Sequence, residues 1–106
     1  MFIAMNRFRI KKGEGEAFES IWAKRRSRLP EVPGFIAFHL LRGPEKEDHT
    51  LYASHTTWES PERFEAWTRS DAFRQAHEGS GAKMDIYLGP PVFEGFEAVQ
   101  AIDASS

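Results

Sequence analysis

An α+β fold is what the sequence predicts, with helices covering one face of an antiparallel sheet in the order β-α-β-β-α-β. Three observations lead there. Residues 2–10, 35–43 and 50–58 alternate with period two, and a last such run begins at about Val92. The stretches between the first and second runs, and between the third and last, repeat their apolar residues at helical spacing instead. The second and third runs are joined by only a short polar turn, PEKEDH (44–49), so they form a hairpin.

The first strand is FIAMNRFRI (2–10), closed by KKGEGE. Its cleaner apolar phase is Phe2, Ala4, Phe8 and Ile10, and Asn6 sits in the middle of that phase. A helix follows from about Glu14 to Leu29, with Phe18, Ile21, Trp22, Arg25 and Leu29 on one stripe. PEVPG (30–34) ends it, because two prolines and a glycine cannot continue a helix. In the second strand, FIAFHLLRG, Ile36, Phe38 and Leu40 alternate with Phe35, Ala37 and Leu41. The third, TLYASHTTW, is rich in β-branched and aromatic residues.

Ser60 followed by Pro61 is a helix start: the hydroxyl accepts a first-turn N–H, and proline fits the first helical position. Ser70 and Asp71 mark a second start, opening a short helix over 71–77. EGSGAKMD (78–85) is a loop, the last strand runs within 88–100, and 101–106 is expected to be a frayed tail. The split βαβ order is the ferredoxin-like pattern, in one domain over 1–100. Apolar residues in both phases of the second and last strands, with Phe93 and Val99 in one phase of the latter, suggest that the bare sheet face meets a second subunit. A homodimer is expected.

Composition narrows the function classes. The chain has 106 residues, 14 basic and 16 acidic, and a net charge of −2. It lacks the basic excess of a nucleic-acid binder. With no cysteine, disulfides, thiolate catalysis and Cys-ligated metal are excluded. The N-terminal strand is broken early by Arg7, Arg9, Lys11 and Lys12, unlike a signal peptide or a membrane span, so a soluble cytoplasmic protein is expected. No dinucleotide fingerprint, flavin motif or zinc spacing of histidines is present.

Four features could carry chemistry. Strands are depleted in Asn, and an unpaired buried amide costs about 1–3 kcal/mol, so either the fold or a ligand must satisfy Asn6. His77, ending its helix, suits either the helix dipole or a lone axial metal ligand. Phe64 and Trp67 lie about 60° apart on one helix, and Phe73 and His77 about 40° apart on the next. That stripe is core, or else the wall of a flat apolar slot carrying one metal-binding atom. Arg25 and Arg26, in KRRSR (24–28), form a solvated face or a carboxylate-binding pair. His39 and His55 are expected to pair across strands, and His49 to be solvated in its turn.

These residues resemble the IsdG-like haem-degrading monooxygenases, within the antibiotic-biosynthesis-monooxygenase superfamily of dimeric α+β barrels. The resemblance rests on Asn6–Arg7 in the first strand and on FEAWTRSDAFRQAH (64–77), where Trp67 and His77 flank a Ser-Asp-x-Phe. It implies Asn6, Trp67 and His77 as the catalytic set, with His77 binding the haem iron. It also implies that Asn6 points at the distal face of haem, and that Trp67 presses on the macrocycle and ruffles it. Trp22 stands near haem where staphylococcal members carry Phe. Phe64 and Phe73 line the slot, and Arg25 or Arg26 would meet the propionates. The loop after His77 is shorter than in the staphylococcal enzymes. Haem would be substrate and oxygen-activating cofactor together, with O2 and electrons from an external reductase or small donor. Alternatives are a cofactor-free monooxygenase of a quinol or polyketide, a haem carrier that does not turn over, and a structural dimer with a closed core.

Overall fold

The computed structural model describes residues 1–24, 28–77 and 85–104, except for the side chains of 75–77. The elements follow in the expected order. They are β1 (Phe2–Ile10), α1 (Gly15–Lys24), a 3-10 turn (Leu29–Glu31), β2 (Phe35–Glu45), β3 (Thr50–Trp58), α2 (Pro61–Thr68), α3 (Asp71–His77) and β4 (Val92–Glu97). The four strands form one antiparallel sheet in the order β2-β3-β1-β4, so β3 and β1 are its inner strands. This is the ferredoxin-like α+β fold.

Local chemistry sets the helix boundaries. Ser60 has extended backbone and its Oγ accepts the Arg63 N–H at 3.2 Å, with Pro61 at the first helical position. Ser70 does the same for α3, accepting from the Phe73 N–H at 3.2 Å while its hydroxyl donates to the Trp67 carbonyl at 2.6 Å. One serine therefore both ends α2 and starts α3. Gly34 takes φ +88, and a Cβ there would lie 2.5 Å from Arg63 Cγ, so the turn into β2 requires glycine twice over.

Three expectations are corrected. The first helix is described over Gly15–Lys24, residues 25–27 lie outside the described residues, and Leu29 belongs to the 3-10 turn that follows Arg28 rather than to the Phe18–Trp22 stripe. β2 carries an irregularity between Phe35 and Ala37, so Phe35 pairs with Trp58 while Phe38 pairs with Thr56 and Leu40 with Ser54. The extra residue puts Phe35 on the same side as Phe38 and Leu40 and leaves Ile36 exposed. Val99 lies beyond the end of β4, fully exposed. A short bridge between Tyr87 and Ile10, flanked by Lys11 N–H to Ile86 O and Leu88 N–H to Arg9 O, extends the sheet beyond what the sequence suggested.

The core has two parts. One gathers Phe8, Ile10, Phe18, Tyr52 and Ile86 under α1, with Ile21, Trp22, Leu40 and Tyr87 around them. The other gathers Ala4, Trp58 and Trp67 under α2 and α3, with Phe2, Leu29, Phe35, Phe64 and Phe73 around them. Each fully buried aromatic contributes about 1.5–3 kcal/mol to folding.

A polar latch fixes α1 to the sheet. The Tyr52 hydroxyl donates to Glu19 Oε2 at 2.5 Å, and Arg42 Nη1 reaches the same oxygen at 3.3 Å. Gly15 makes room, since a Cβ there would lie 2.7 Å from the Tyr52 oxygen. Burial, reinforced by the Glu19 carboxylate, pushes the Tyr52 phenol up to about 12.

The fold therefore favours the neutral phenol, and the unfolded chain loses this proton first, near the ordinary value of 10.0. Tyr52→Phe is expected to lower the unfolding free energy by about 1–2 kcal/mol at pH 7 in urea titrations. The gap to the parent should be fully present below about pH 10 and narrow as pH rises towards 12, because over that window the unfolded chain gives up the proton that the fold still holds. A gap unchanged across that window would show that the hydroxyl does not hold α1.

Candidate active site

Asn6 lies where the two halves of the core part. Along the helix-facing side of β1, Phe2 and Ala4 belong to the α2–α3 cluster and Phe8 and Ile10 to the α1 cluster. Asn6 is between them. β3 divides at the same level: Trp58 sits in one cluster, Tyr52 in the other, and Thr56 and Ser54 lie between. The row across the sheet at this level is Leu40, Ser54, Asn6 and Phe93, on β2, β3, β1 and β4.

Its neighbours Ala4 and Phe8 are buried, yet Asn6 keeps part of its surface open, although it lies on an inner strand beneath the helices. The helices therefore leave Asn6 partly open, while Ser54 beside it is buried. Among the described residues, the Asn6 carboxamide makes no hydrogen bond.

Aromatic side chains flank Asn6 on both sides. On the α1 side, Trp22 stacks on Phe38 with ring centroids 5.8 Å apart and planes 14° from parallel. On the α2 side, Phe64 stacks on Phe93 at 5.7 Å and 7°. Behind that stack, Trp67 meets Trp58 at 5.3 Å and stands edge-on to Phe73 at 4.8 Å. Phe38 and Phe93 are 38% and 50% exposed, so these apolar rings are not sealed into the core. Asn6 thus lies between two sets of packed aromatic side chains.

Of the sequence-derived residues, Asn6 lies between the two clusters, Trp22 packs on the α1 cluster, and Phe64, Trp67 and Phe73 belong to the α2–α3 cluster, where Trp67 is buried. His77 closes α3, four residues beyond Phe73, and its side chain lies outside the described residues, as do Arg25 and Arg26. Arg28, the described member of the basic run's end, lines a groove with Arg63 and Trp67 beside α2. His39 and His55 pair across β2 and β3, their centroids 5.9 Å apart. His49 is not simply solvated, since its Nδ1 lies 2.6 Å from Asp48 Oδ1. The described residues contain no group of three or more His, Asp or Glu able to hold a metal ion, and no helix among them is long and apolar enough to cross a membrane.

The sequence reading did not single out Ser54, a buried polar residue, 7% exposed, that pairs directly with Asn6. Its phase, shared with Tyr52, Thr56 and Trp58, was the signal that could have found it.

The family profile of the antibiotic biosynthesis monooxygenases matches residues 1–79. The chain belongs to that family. Within it, the chain is 34% identical over 92 residues to a haem-degrading monooxygenase of Shouchella clausii, covering 84% of this chain and 82% of that one. It is 37% identical over 81 residues to a staphylobilin-producing haem oxygenase of Staphylococcus haemolyticus, with 74% of each chain covered. Among solved structures, the haem degrader MhuD of Mycobacterium tuberculosis, with two haems bound in its active site, superposes with a TM-score of 0.76. It is 32% identical, with 97% of this chain and 100% of that one covered. For this family member, the resemblance read from Asn6–Arg7 and the 64–77 segment thus agrees with whole-chain similarity.

If the fold leaves the Asn6 amide unsatisfied, replacing it with a strand-favouring apolar residue should stabilise the protein. Asn6→Val is expected to raise the unfolding free energy by about 0.5–1 kcal/mol, read as a higher urea midpoint at constant slope. A lower midpoint would mean that the fold itself uses the amide.

Proposed function

We propose that this chain is a cytoplasmic haem-degrading monooxygenase that takes haem as substrate. It opens the porphyrin with O2 and electrons from an external donor, releasing iron and a bilin-type chromophore. The observation that carries this reading is the partly open Asn6 carboxamide, unbonded among the described residues, between two aromatic clusters. A flat apolar macrocycle fits walls of stacked rings, and its open axial side needs a hydrogen-bond donor, which Asn6 provides. The activities named for the relatives support the same substrate.

In this reading His77 binds the iron, and haem then supplies the oxygen chemistry. The other roles fall to this chain's own groups. Asn6 presents its NH2 to the distal face, and Trp67, backed by Trp58 and Phe73, forms an unyielding wall against the macrocycle. Trp22 and Phe38 close the opposite side and exclude water. Arg25 or Arg26 meets the propionates by charge-assisted hydrogen bonds.

We further propose that the bare face of the sheet meets a second copy of the chain. That face carries Ile3, Met5 and Ala53 together with the exposed Leu41, Val92 and Phe96, at 41%, 58% and 47% exposure. It also carries the Arg7–Glu94 ion pair, 2.6 Å long. A patch of this kind is what an isologous contact buries.

Hemin added to the apoprotein is expected to give a sharp Soret band that is lost in His77→Ala. Ascorbate with catalase should then bleach the band and release chelatable iron. Asn6→Ala should keep the band and lose most of the bleaching. No band in the parent, or the same band in His77→Ala, would end the haem reading. A band that persists under ascorbate would mean a carrier.

Sedimentation should report about twice the chain mass of 12.1 kDa, and Phe96→Glu should halve it. A parent that sediments as one chain would remove the proposed contact.

A further inference from the structure

On the bare face of the sheet, Met5 of β1 stands opposite His55 of β3, and His55 stands opposite His39 of β2. The two histidines therefore lie side by side on the face proposed to meet a second copy. His55 is on an inner strand, and its row crosses the middle of the β1–β3 ladder. The imidazole centroids are 5.9 Å apart, with planes 60° from parallel. Apart from that ring contact, neither imidazole has a hydrogen bond or an ion pair among the described residues.

The surroundings offer a charged imidazole no partner. Ala37 and Leu41 flank His39 along β2, Ala53 and Thr57 flank His55 along β3, and Met5 faces His55 from β1. Over the paired residues, β2 and β3 add no other charged side chain to this face. β1 adds Arg7 and Arg9, and β4 adds Glu94. Glu94 is already held by Arg7 at 2.6 Å and lies on the far side of β1 from His55. Arg7, diagonal to His55, is itself a cation, and Arg9 donates to the Leu88 carbonyl at 3.1 Å.

Water is thus what solvates an imidazolium here, and an isologous contact takes that water away. The second copy lays the same face down, with its own pair and the same charged groups. Two neutral rings fit such a contact at little cost, whereas two cations beside each other, desolvated and without a carboxylate, do not. Histidine is the side chain that changes charge between about pH 5 and 8.

We propose that His39 and His55 make the contact between copies proton-sensitive: the chains associate with both imidazoles neutral and separate as acid charges them. The proposal rests on the second-copy contact and is independent of haem. Separated chains bind more protons than joined ones, so association weakens as pH falls.

Sedimentation of the parent chain between pH 8 and 5.5, with far-UV circular dichroism at each pH to confirm folding, tests this. The dissociation constant should rise at least about tenfold from about pH 7.5 to about pH 5.5, since each proton that must leave on association changes it by up to about tenfold per pH unit. The double variant His39→Gln, His55→Gln keeps polar side chains that take up no proton. It should remain a dimer, with a constant that moves less than about threefold over the same range. Should the double variant fail to fold, His39→Gln alone, at an exposed position of an edge strand, should show a shallower dependence than the parent. A parent that is a single chain at pH 8 removes the second-copy contact and this proposal with it. A parent whose dissociation constant is unchanged down to pH 5.5, or a variant that keeps the parent's full dependence, overturns the proposal and leaves the contact standing.

Discussion

A polar pair in the middle of an aromatic sheet face is the constraint on which the rest of this structure depends. Asn6 and Ser54 occupy positions where the flanking residues of both strands are core, and neither is bonded among the described residues. Apolar side chains at those two positions would let the clusters merge into one continuous core. The polarity of Asn6 and Ser54 keeps the two clusters apart: Ser54 is buried at 7% exposure while Asn6 stays partly open, where water or a ligand can meet its amide.

The two sets of rings hang from different parts of the chain. Trp22 is carried by α1, which the Tyr52–Glu19–Arg42 latch ties to β3 and β2. Trp67 and Phe73 are carried by α2 and α3, whose relative placement is set by Ser70 as it bonds to both. Neither set of rings sits on a loop: Trp22, Phe64, Trp67 and Phe73 are on helices, and Phe38 and Phe93 on strands. In the proposed reading a flat substrate would meet surfaces organised before it arrives, which limits the binding energy lost to ordering.

Much of this was legible in the sequence, because the signals concerned were local. The strand order, the Ser60–Pro61 start and the Ser70 start depend on residues within one turn of each other, and Asn6 stood out against an alternation it interrupts. The second strand was misread because Phe35, Ile36, Ala37 and Phe38 are all apolar, so nothing local reveals which residue is the extra one. Leu29 follows helical spacing from Arg25 and Trp22 but joins the other cluster after the 3-10 turn, a placement decided by tertiary contacts. Ile86 and Tyr87 sit in a short segment whose pairing with Ile10 no period announces. Ser54 is an ordinary strand residue until its opposite number is known to be Asn6. The role of His77 came from resemblance rather than spacing, since a histidine at a helix end is as well explained by the dipole.

The division of the core also bears on how the molecule breathes. The two clusters share the strands β1, β2 and β3 but no helix, so α1 and the α2–α3 unit are joined through the sheet. A rigid guest wedged between them would act as a cross-brace, joining the two units directly as well. Once such a guest is broken into a flexible fragment the brace is gone, and the units are again joined only through the sheet when the fragments must escape.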